Sequence, residues 1–416
     1  MKIGYACIPV ASRYKTNRRF ALKNFSYDKF YSTTKENLQD LILLLKYNIA
    51  NDIYFFRISS DIIPFGSHEI NNIKWWEIFK DELDLIGTYI KENCIRVSMH
   101  PGQYTVMNSP TAEVVEKSIA DIEYHTKFLD SLGIDYSNKI IIHIGGEYGD
   151  KTSAIRRFSE NIKALSDSAR SRLILENDEK IFNIEDVLEI CTKNSLPAVF
   201  DNLHHKFNPS LNNDIDLIFK EVFATWKEKD GIPKVHYSDS DKSKRRGAHS
   251  PFVYTENFID YLNKIEKYNV DIMLEVKDKD ISAIKCVNLL KVLGKDTDKK
   301  SVNIYEQWAK YKYLVMEKNY ALYKECSNIV NKENDLIKLY KTIDRCLDME
   351  FNHGNFINTA EHVWGYFKKA SSEKEKQKII ELINKPEEYI KIKEYLRKLS
   401  IKYNEKYLLD SYYFYY

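Results

Sequence analysis

The first ~290 residues alternate regularly between short apolar runs and longer amphipathic segments. Eight apolar runs rich in β-branched residues predict strands. They cover residues 2–8, 53–59, 96–100, 139–144, 172–176, 198–201, 233–237 and 271–276. Eight amphipathic segments that follow these runs predict helices, at residues 35–50, 75–92, 112–132, 151–169, 185–191, 214–226, 255–268 and 281–293. Such a repeat is typical of an α/β chain that closes into a (β/α)8 TIM barrel.

A doubly wound open sheet is the main alternative fold for an alternating chain. It would usually have fewer strands and a glycine-rich first turn. The first turn here, residues 6–9, reads Ala-Cys-Ile-Pro, and the chain contains neither GxGxxG nor GxxxxGK[ST]. We therefore favour the barrel and expect no nucleotide cofactor.

After about residue 295 the pattern changes, because glycine and proline become rare and Lys, Glu, Tyr, Leu and Ile dominate. Residues 305–331, 333–350 and 372–400 are predicted to be helical. The polar run at residues 294–300 marks the predicted boundary. The chain is thus divided into a barrel domain, residues 1–295, and a mostly helical C-terminal extension, residues 296–416, to which composition assigns no role.

Composition excludes several classes of protein. With 44% hydrophobic and 30% charged residues, the chain can bury a core and is not disordered. Its apolar runs are too short to span a bilayer, and its start lacks the basic region of a signal peptide. The six cysteines are scattered without a CxxC pair. We expect a cytoplasmic monomer with no membrane contact.

Eight ionisable residues fall at or just after the predicted strand ends: His100, His143, Glu176, Asp201, His204, His236, His249 and Glu275. Strand ends meet at one face of a barrel, so these side chains should converge. Any one of them has an ordinary explanation as a loop-capping residue. Eight such groups without basic partners, however, are the kind of set that divalent cations stabilise, and they exceed the needs of one ion. The pattern predicts a multinuclear site of Mn²⁺, Fe²⁺ or Zn²⁺, suited to activating water against a phosphodiester.

Seven short strings resemble the UV damage endonuclease family. They are FGSH at 65–68, SMHPGQY at 98–104, IHIGG at 142–146, LEND at 175–178, FDNLHH at 200–205, KVHYS at 234–238 and LEVK at 274–277. The resemblance is ordered and extends over residues 1 to about 290. It implies a barrel like that of endonuclease IV with a divalent metal cluster of three ions, Mn²⁺ first and Zn²⁺ or Mg²⁺ as alternatives. It also implies damaged double-stranded DNA as the partner. The expected incision lies immediately 5′ of cyclobutane pyrimidine dimers and 6-4 photoproducts, leaving a 3′-hydroxyl and a 5′-phosphate.

The resemblance also implies roles for individual residues. It makes the eight strand-end residues metal ligands, with Glu176 also catalytic, and it makes Lys234 a carboxylated lysine. Gln103 and Tyr104 would fill the gap left by an extruded lesion, and Tyr5 would lie beside the flipped nucleotides. A packed loop is the ordinary alternative for the Gln103–Tyr104 pair.

Other candidates are weaker. His68 would contact the scissile phosphate or tune proton transfer, although an ordinary loop histidine fits as well. The basic loop after strand 7, with Lys242, Lys244, Arg245 and Arg246, is predicted to contact DNA phosphates. His205 is expected to face away from the site in an extended segment. His125, on a predicted helix, and the two tail histidines are not expected to be ligands.

Three alternatives use the same features. An abasic-site endonuclease of the endonuclease IV type would share the fold and the metals but recognise a different lesion. A sugar isomerase of the xylose isomerase type would use fewer histidine ligands and would not need arginine-rich loops. A non-catalytic damage sensor would bind irradiated duplex and leave it intact.

Overall fold

The computed structural model describes residues 1–241, 243–295, 301–385 and 389–416. These residues form two compact units: Met1–Val253 with Asp260–Val287, and Tyr254–Ile259 with Asn288–Tyr416. The predicted boundary run at 294–300 reaches into residues 296–300, which lie outside the described residues, as does Lys242 of the predicted basic loop.

The first unit contains a closed barrel of parallel strands, which confirms the TIM-barrel prediction. The strands are β1 (Ile3–Ala6), β2 (Phe55–Ile58), β3 (Arg96–Met99), β4 (Lys139–His143), β5 (Leu173–Glu176), β6 (Ala198–Asp201), β7 (Lys234–Tyr237) and β8 (Asp271–Leu274). Each strand pairs with the next, and β8 pairs with β1 to close the ring. Most strands are shorter than predicted, because the ends of the apolar runs, such as His100 and Val276, already belong to the loops.

Helices alternate with these strands. They are α1 (Tyr27–Ala50), α2 (Trp75–Ile78), α3 (Lys80–Glu92), α4 (Ala112–Ser131), α5 (Lys151–Asn161), α6 (Asp167–Arg172), α7 (Ile184–Asn194), α8 (Asn202–Phe207), α9 (Ile215–Ala224), α10 (Thr255–Ile265) and α11 (Asp280–Val292). Helix α1 begins earlier than predicted because Ser26 caps it, its hydroxyl oxygen accepting from the backbone N–H of Lys29. The single helix predicted at 75–92 is broken at Phe79, where the backbone leaves the helical region.

Alternation along the strands places the polar strand ends above an apolar layer. Three inward-facing residues on adjacent strands pack with Trp226: Ile141, Ile174 and Val199. The residues two positions further along the same strands are His143, Glu176 and Asp201. Because side chains two residues apart on a strand share a face, these three also point into the barrel, at its carboxyl end.

The second unit is helical, as predicted. Its helices are α12 (Ile304–Lys318), α13 (Tyr320–Asn328), α14 (Leu336–Leu347), α15 (His353–Trp364), α16 (Glu373–Ile383), α17 (Tyr389–Lys402) and α18 (Lys406–Leu409). A core of buried side chains that includes Tyr313, Phe356, Leu396 and Tyr413 holds it together. The helix predicted at 305–331 is interrupted at Asn319, whose side chain caps α13 by accepting from the backbone N–H of Leu322. Of the helices within the described ranges, none combines the length and apolarity needed to cross a lipid bilayer.

Candidate metal centre

Glu176, at the end of β5, lies at the centre of the histidine and carboxylate cluster. Nδ1 of His236 is 2.7 Å from Oε1 of Glu176, which is a hydrogen bond. Nε2 of His100 and Nε2 of His143 lie 3.6 and 3.7 Å from Oε2. Those two separations are too long for hydrogen bonds, but two ligands of one ion, each at roughly 2.1 Å, sit roughly 3 to 3.5 Å apart. The buried carboxylate and the two imidazoles are therefore spaced much as ligands of a shared ion would be.

Among the residues that the structure describes, two overlapping groups of side chains could hold a metal ion, each with its ligand atoms within 4.8 Å of one another. They are His100, His143 and Glu176, and Glu176, Asp201, His236 and Glu275. Glu176 belongs to both groups, so the arrangement could hold more than one ion.

His204 and His249 border these groups. Nδ1 of His204 is 3.7 Å from Oδ1 of Asp201, and Nε2 of His249 is 3.8 Å from Oε2 of Glu275. The structure therefore brings all eight predicted ligand residues together at one end of the barrel.

The start of α8 fixes Asp201 and His204 relative to each other. Asp201 is the N-cap of α8 and accepts from the backbone N–H of His204 at 2.7 Å. Nδ1 of His204 donates to the main-chain oxygen of Asn177 at 2.9 Å, which leaves Nε2 for a ligand. The Asn177 side chain also accepts from the backbone N–H of Asp201. Sequence reasoning did not single out Asn177, although it lies within the LEND string.

Charge and burial favour the ligand forms of Glu176 and His236. Burial alone would raise the pKa of Glu176, but His236 and His143 hold that pKa well below its usual range. Burial lowers the pKa of His236 to about 4, so its ring is neutral. Burial raises the pKa of Asp201 to about 7, against the effect of His204, and Oδ2 of Asp201 has no hydrogen-bond partner among the described residues. A buried carboxylate oxygen without a partner is an atom that a cation would stabilise, so the donor set fits divalent metal.

Arg57 corrects the expectation that the cluster contains no basic residue. It is buried on β2, and its Nη2 lies 2.6 Å from Oε1 of Glu275 and 3.0 Å from Nε2 of His236. Nδ1 of His236 donates to Glu176, and Nε2 of the same ring contacts Arg57. Because both ring nitrogens of His236 have partners, a metal ion bound to His236 would displace one of them. Arg57 offsets part of the carboxylate charge. The sequence signal for it was an arginine inside an otherwise apolar strand.

Lys234 lies on β7, two residues before His236, and is completely buried. Its Nζ has no hydrogen-bond partner within the described ranges and lies 5.4 Å from the centre of the Phe55 ring. Burial, reinforced by Arg96 and Arg57, holds the pKa of Lys234 well below its usual range. Loss of the ammonium proton is therefore easier for Lys234 than for an exposed lysine.

The predicted substrate residues at the rim are exposed. Tyr104 is 84% exposed and Gln103 precedes it on the loop after β3, beside a cavity of about 290 Å³ that His100 and His143 also line. Arg245 lines a second cavity, of about 490 Å³, together with His204, His249 and Glu275.

Arg246, the next residue, is held against α8. Its Nη2 donates to the main-chain oxygen of Phe207 at 2.6 Å, and its guanidinium lies 5.1 Å from the centre of the Phe207 ring.

Two predicted positions, Tyr5 and His205, differ in the structure. Tyr5 is completely buried and its hydroxyl donates to Oδ1 of Asn48 on α1, so it faces the helix layer and does not reach the barrel opening. In this position Tyr5 cannot make the expected contact with flipped nucleotides. His68 is exposed, with its ring against Phe65 and its Nδ1 accepting from the backbone N–H of Ile70. His205 lies in helix α8 rather than in an extended segment, with its ring 5.1 Å from that of Phe200.

A barrel with histidines and carboxylates converging at its strand ends defines a TIM-barrel protein with a candidate multinuclear metal centre. The chain belongs to the family described as UV-endonuclease UvdE, whose model matches residues 1–306. This confirms the resemblance drawn from the seven strings. A second family model, described as a protein of unknown function (DUF1722), matches residues 312–416.

Individual proteins give the same family relationship. The chain is 49% identical to the UV DNA damage endonuclease of Clostridium perfringens (strain 13 / Type A), over 96% of each chain. It is 35% identical to the UV DNA damage endonuclease of Bacillus cereus (strain Q1), over 70% of this chain and 94% of that protein. The crystal structure of SacUVDE matches with a TM-score of 0.67 at 39% identity, covering 71% of this chain and all of that one.

Proposed function

We propose that this chain is a metal-dependent DNA repair endonuclease. It cuts damaged duplex DNA immediately 5′ of UV photolesions, namely cyclobutane pyrimidine dimers and 6-4 photoproducts, and leaves a 3′-hydroxyl and a 5′-phosphate. Family membership supports repair of UV damage by an endonuclease. The observation that carries the chemistry is the convergence of the eight candidate ligands around Glu176. Residues 1–295 would form the endonuclease domain.

The eight strand-end residues would hold the ions, with Mn²⁺ as our expected metal and Zn²⁺ or Mg²⁺ as alternatives. Divalent ions bound there would activate water for attack on phosphorus and stabilise charge on the departing 3′-oxygen. Glu176, ionised and buried, would anchor both ligand groups, while Arg57 would orient Glu275. Lys234 would carry a carbamate, since an amine must lose its proton to react with CO2, burial favours that loss, and its Nζ has no hydrogen-bond partner among the described residues.

DNA would reach this centre across the exposed rim. A lesion stacked within a duplex must be extruded before its backbone enters a barrel opening, and a side chain that fills the vacated space lowers the cost of unstacking. Gln103 and Tyr104 provide an amide and an aromatic plane at a loop tip beside His100. Arg245 and Arg246 would contact phosphates near the second cavity.

Replacing Tyr104 with alanine should separate substrate handling from folding. We expect Tyr104→Ala to lower the rate of nicking of UV-irradiated DNA about tenfold or more, since base stacking on an aromatic ring contributes roughly 1–3 kcal/mol. The melting temperature should not change, because the ring is 84% exposed. Plasmid nicking and thermal unfolding check the two parts, with Tyr305→Ala, at an exposed tyrosine on α12, as the control. Unchanged nicking by Tyr104→Ala would remove this residue from the proposed DNA contact.

The function itself is tested with a panel of lesions after chelation and metal add-back. With Mn²⁺, the protein should nick UV-irradiated supercoiled plasmid far faster than undamaged plasmid, and it should cut an oligonucleotide with one cyclobutane dimer on the 5′ side of the lesion. Preference for an abasic oligonucleotide would instead indicate an endonuclease IV type of activity. Equal nicking of irradiated and undamaged plasmid would contradict lesion specificity.

A further inference from the structure

The loop after β3 is anchored at its beginning by a buried pair of side chains. The hydroxyl oxygen of Ser60 lies 3.0 Å from the main-chain oxygen of His100 and 2.8 Å from Nε2 of His125. His125 is completely buried on α4, and its Nδ1 is 2.7 Å from the main-chain oxygen of Asp121. Because a carbonyl oxygen only accepts, Nδ1 carries the hydrogen of the neutral ring, and Nε2 is an acceptor. The single hydroxyl hydrogen of Ser60 is therefore shared between His125 and the His100 carbonyl.

The backbone of Ser60 is held by the same helix. The hydroxyl of Tyr124, also on α4, donates to the main-chain oxygen of Ser60 at 2.8 Å. It also accepts from the backbone N–H of Ile63 at 3.3 Å. The turn Ser60–Ile62 is thus fixed against α4 by contacts that do not involve His100.

Helix α4 also anchors the far end of the loop. The hydroxyl of Thr105 donates to Oδ2 of Asp121 at 2.5 Å, and the backbone N–H of Val106 donates to the hydroxyl oxygen of Ser118 at 2.8 Å. Between the two anchors, residues 102–104 are exposed, and the backbone N–H of Thr105 donates to the oxygen of Gly102 to close a turn. The tip is therefore shaped in advance by contacts at both ends.

The first anchor also bears on a candidate metal ligand. Nδ1 of His100 donates to the main-chain oxygen of Pro101 at 2.9 Å, so Nε2 is the nitrogen directed at Glu176. The Pro101 carbonyl therefore sets the ring orientation, and Ser60 holds the carbonyl of His100, which lies in the peptide unit directly before it. Groups that orient a metal ligand in this way commonly contribute to metal affinity.

We propose that Ser60, His125 and Asp121 are positioning residues that fix the loop after β3 against α4. Through these residues, helix α4 fixes both the orientation of the His100 ring and the position of the exposed pair Gln103 and Tyr104. This inference rests on the proposed function, because it takes His100 as a metal ligand and the loop tip as a lesion contact. It adds that the metal ligand His100 and the lesion-contacting loop tip are both held in place by helix α4.

The first test compares two variants of nearly identical shape, Ser60→Val and Ser60→Thr, of which only the second keeps the hydroxyl. Mn²⁺ affinity is measured without DNA, from the electron paramagnetic resonance signal of free Mn²⁺. Ser60→Val should bind Mn²⁺ about tenfold more weakly than wild type, and Ser60→Thr should bind close to wild type. Equal affinities for the two variants would overturn the role of Ser60.

The second test uses the other anchor, with Thr105→Val and Thr105→Ser. Thr105→Val should lower kcat/KM on UV-irradiated DNA about tenfold, with Mn²⁺ affinity unchanged, because it frees the loop tip but not the His100 carbonyl. Thr105→Ser should restore nicking. If Ser60→Val does not fold, the two Thr105 variants test the proposal by themselves. Equal kcat/KM for Thr105→Val and Thr105→Ser would contradict the proposal.

Wild-type protein in the same assays separates this inference from the proposed function. A wild type that fails to nick irradiated DNA contradicts the proposed function, yet the Mn²⁺ affinities of the Ser60 variants still test the anchor. A wild type that nicks irradiated DNA while Ser60→Val binds Mn²⁺ normally contradicts the anchor alone.

Discussion

Glu176→Gln should lower the nicking of UV-irradiated plasmid at least about 10³-fold, an effect of the size expected when one group that stabilises the transition state is removed. The amide keeps the shape of the side chain but lacks the charge that two overlapping ligand groups share. In either orientation its NH2 group would replace one carboxylate oxygen, and would face either Nδ1 of His236 or Nε2 of His100 and His143. Initial rates of supercoiled-to-nicked conversion at saturating Mn²⁺ measure the loss.

The matched control for this loss is Glu221→Gln, on the exposed surface of α9, which should nick at the wild-type rate. Binding of Mn²⁺ should weaken in Glu176→Gln and not in Glu221→Gln. A Glu176→Gln protein that folds and nicks within a few-fold of wild type would contradict the central place of Glu176 in the proposed chemistry.

The positions of the candidate ligands could be predicted because two simple rules fix them. Alternation along a strand puts every second residue inside the barrel, and the carboxyl ends of all strands meet at one face. His143 and Glu176 therefore become neighbours in the register of β4 and β5, and Asp201 and His236 in that of β6 and β7. Neither rule requires knowledge of packing between distant segments.

Tyr5 shows where these rules gave no answer. All four residues of β1 are buried, so the run has no polar side to reveal which residues face the barrel. The register pairs Ala6 with Arg57, which contacts the cluster, and this places Tyr5 on the opposite face, against Asn48. Only the pairing of the strands decides this orientation.

Arg57 and the Ser60–His125 pair could not be predicted for a related reason. Arg57 meets His236 across the barrel, 179 residues away in sequence, and His125 meets Ser60 from 65 residues away. A lone arginine in an apolar strand and a lone histidine on a helix have many partners available in principle. Their roles depend on which partner the closed barrel provides.

Replacing Arg57 with methionine should show whether arginine and the metal ion neutralise the same carboxylates. Methionine keeps much of the side-chain volume but leaves Glu275, whose side chain is 14% exposed, beside Glu176 without its cation. Removing one partner of a buried ion pair costs about 3 kcal/mol or more, so we expect a clear fall in the melting temperature after chelation. Bound Mn²⁺ would compensate the same carboxylates, so the fall should be smaller with Mn²⁺ present. By linkage, Mn²⁺ should stabilise Arg57→Met more than wild type.

Arg172→Met provides the comparison for this prediction. Arg172 is as deeply buried as Arg57, but its guanidinium is bonded to Asp130 and to main-chain oxygens of residues 134, 135 and 138, away from the ligand cluster. Its loss should lower the melting temperature equally with and without Mn²⁺, because no candidate ligand loses a partner. Thermal unfolding of the full chain after chelation, repeated with Mn²⁺ added back, measures both variants. If Mn²⁺ restores Arg57→Met no better than Arg172→Met, then Arg57 does not balance the charge of the metal-binding carboxylates.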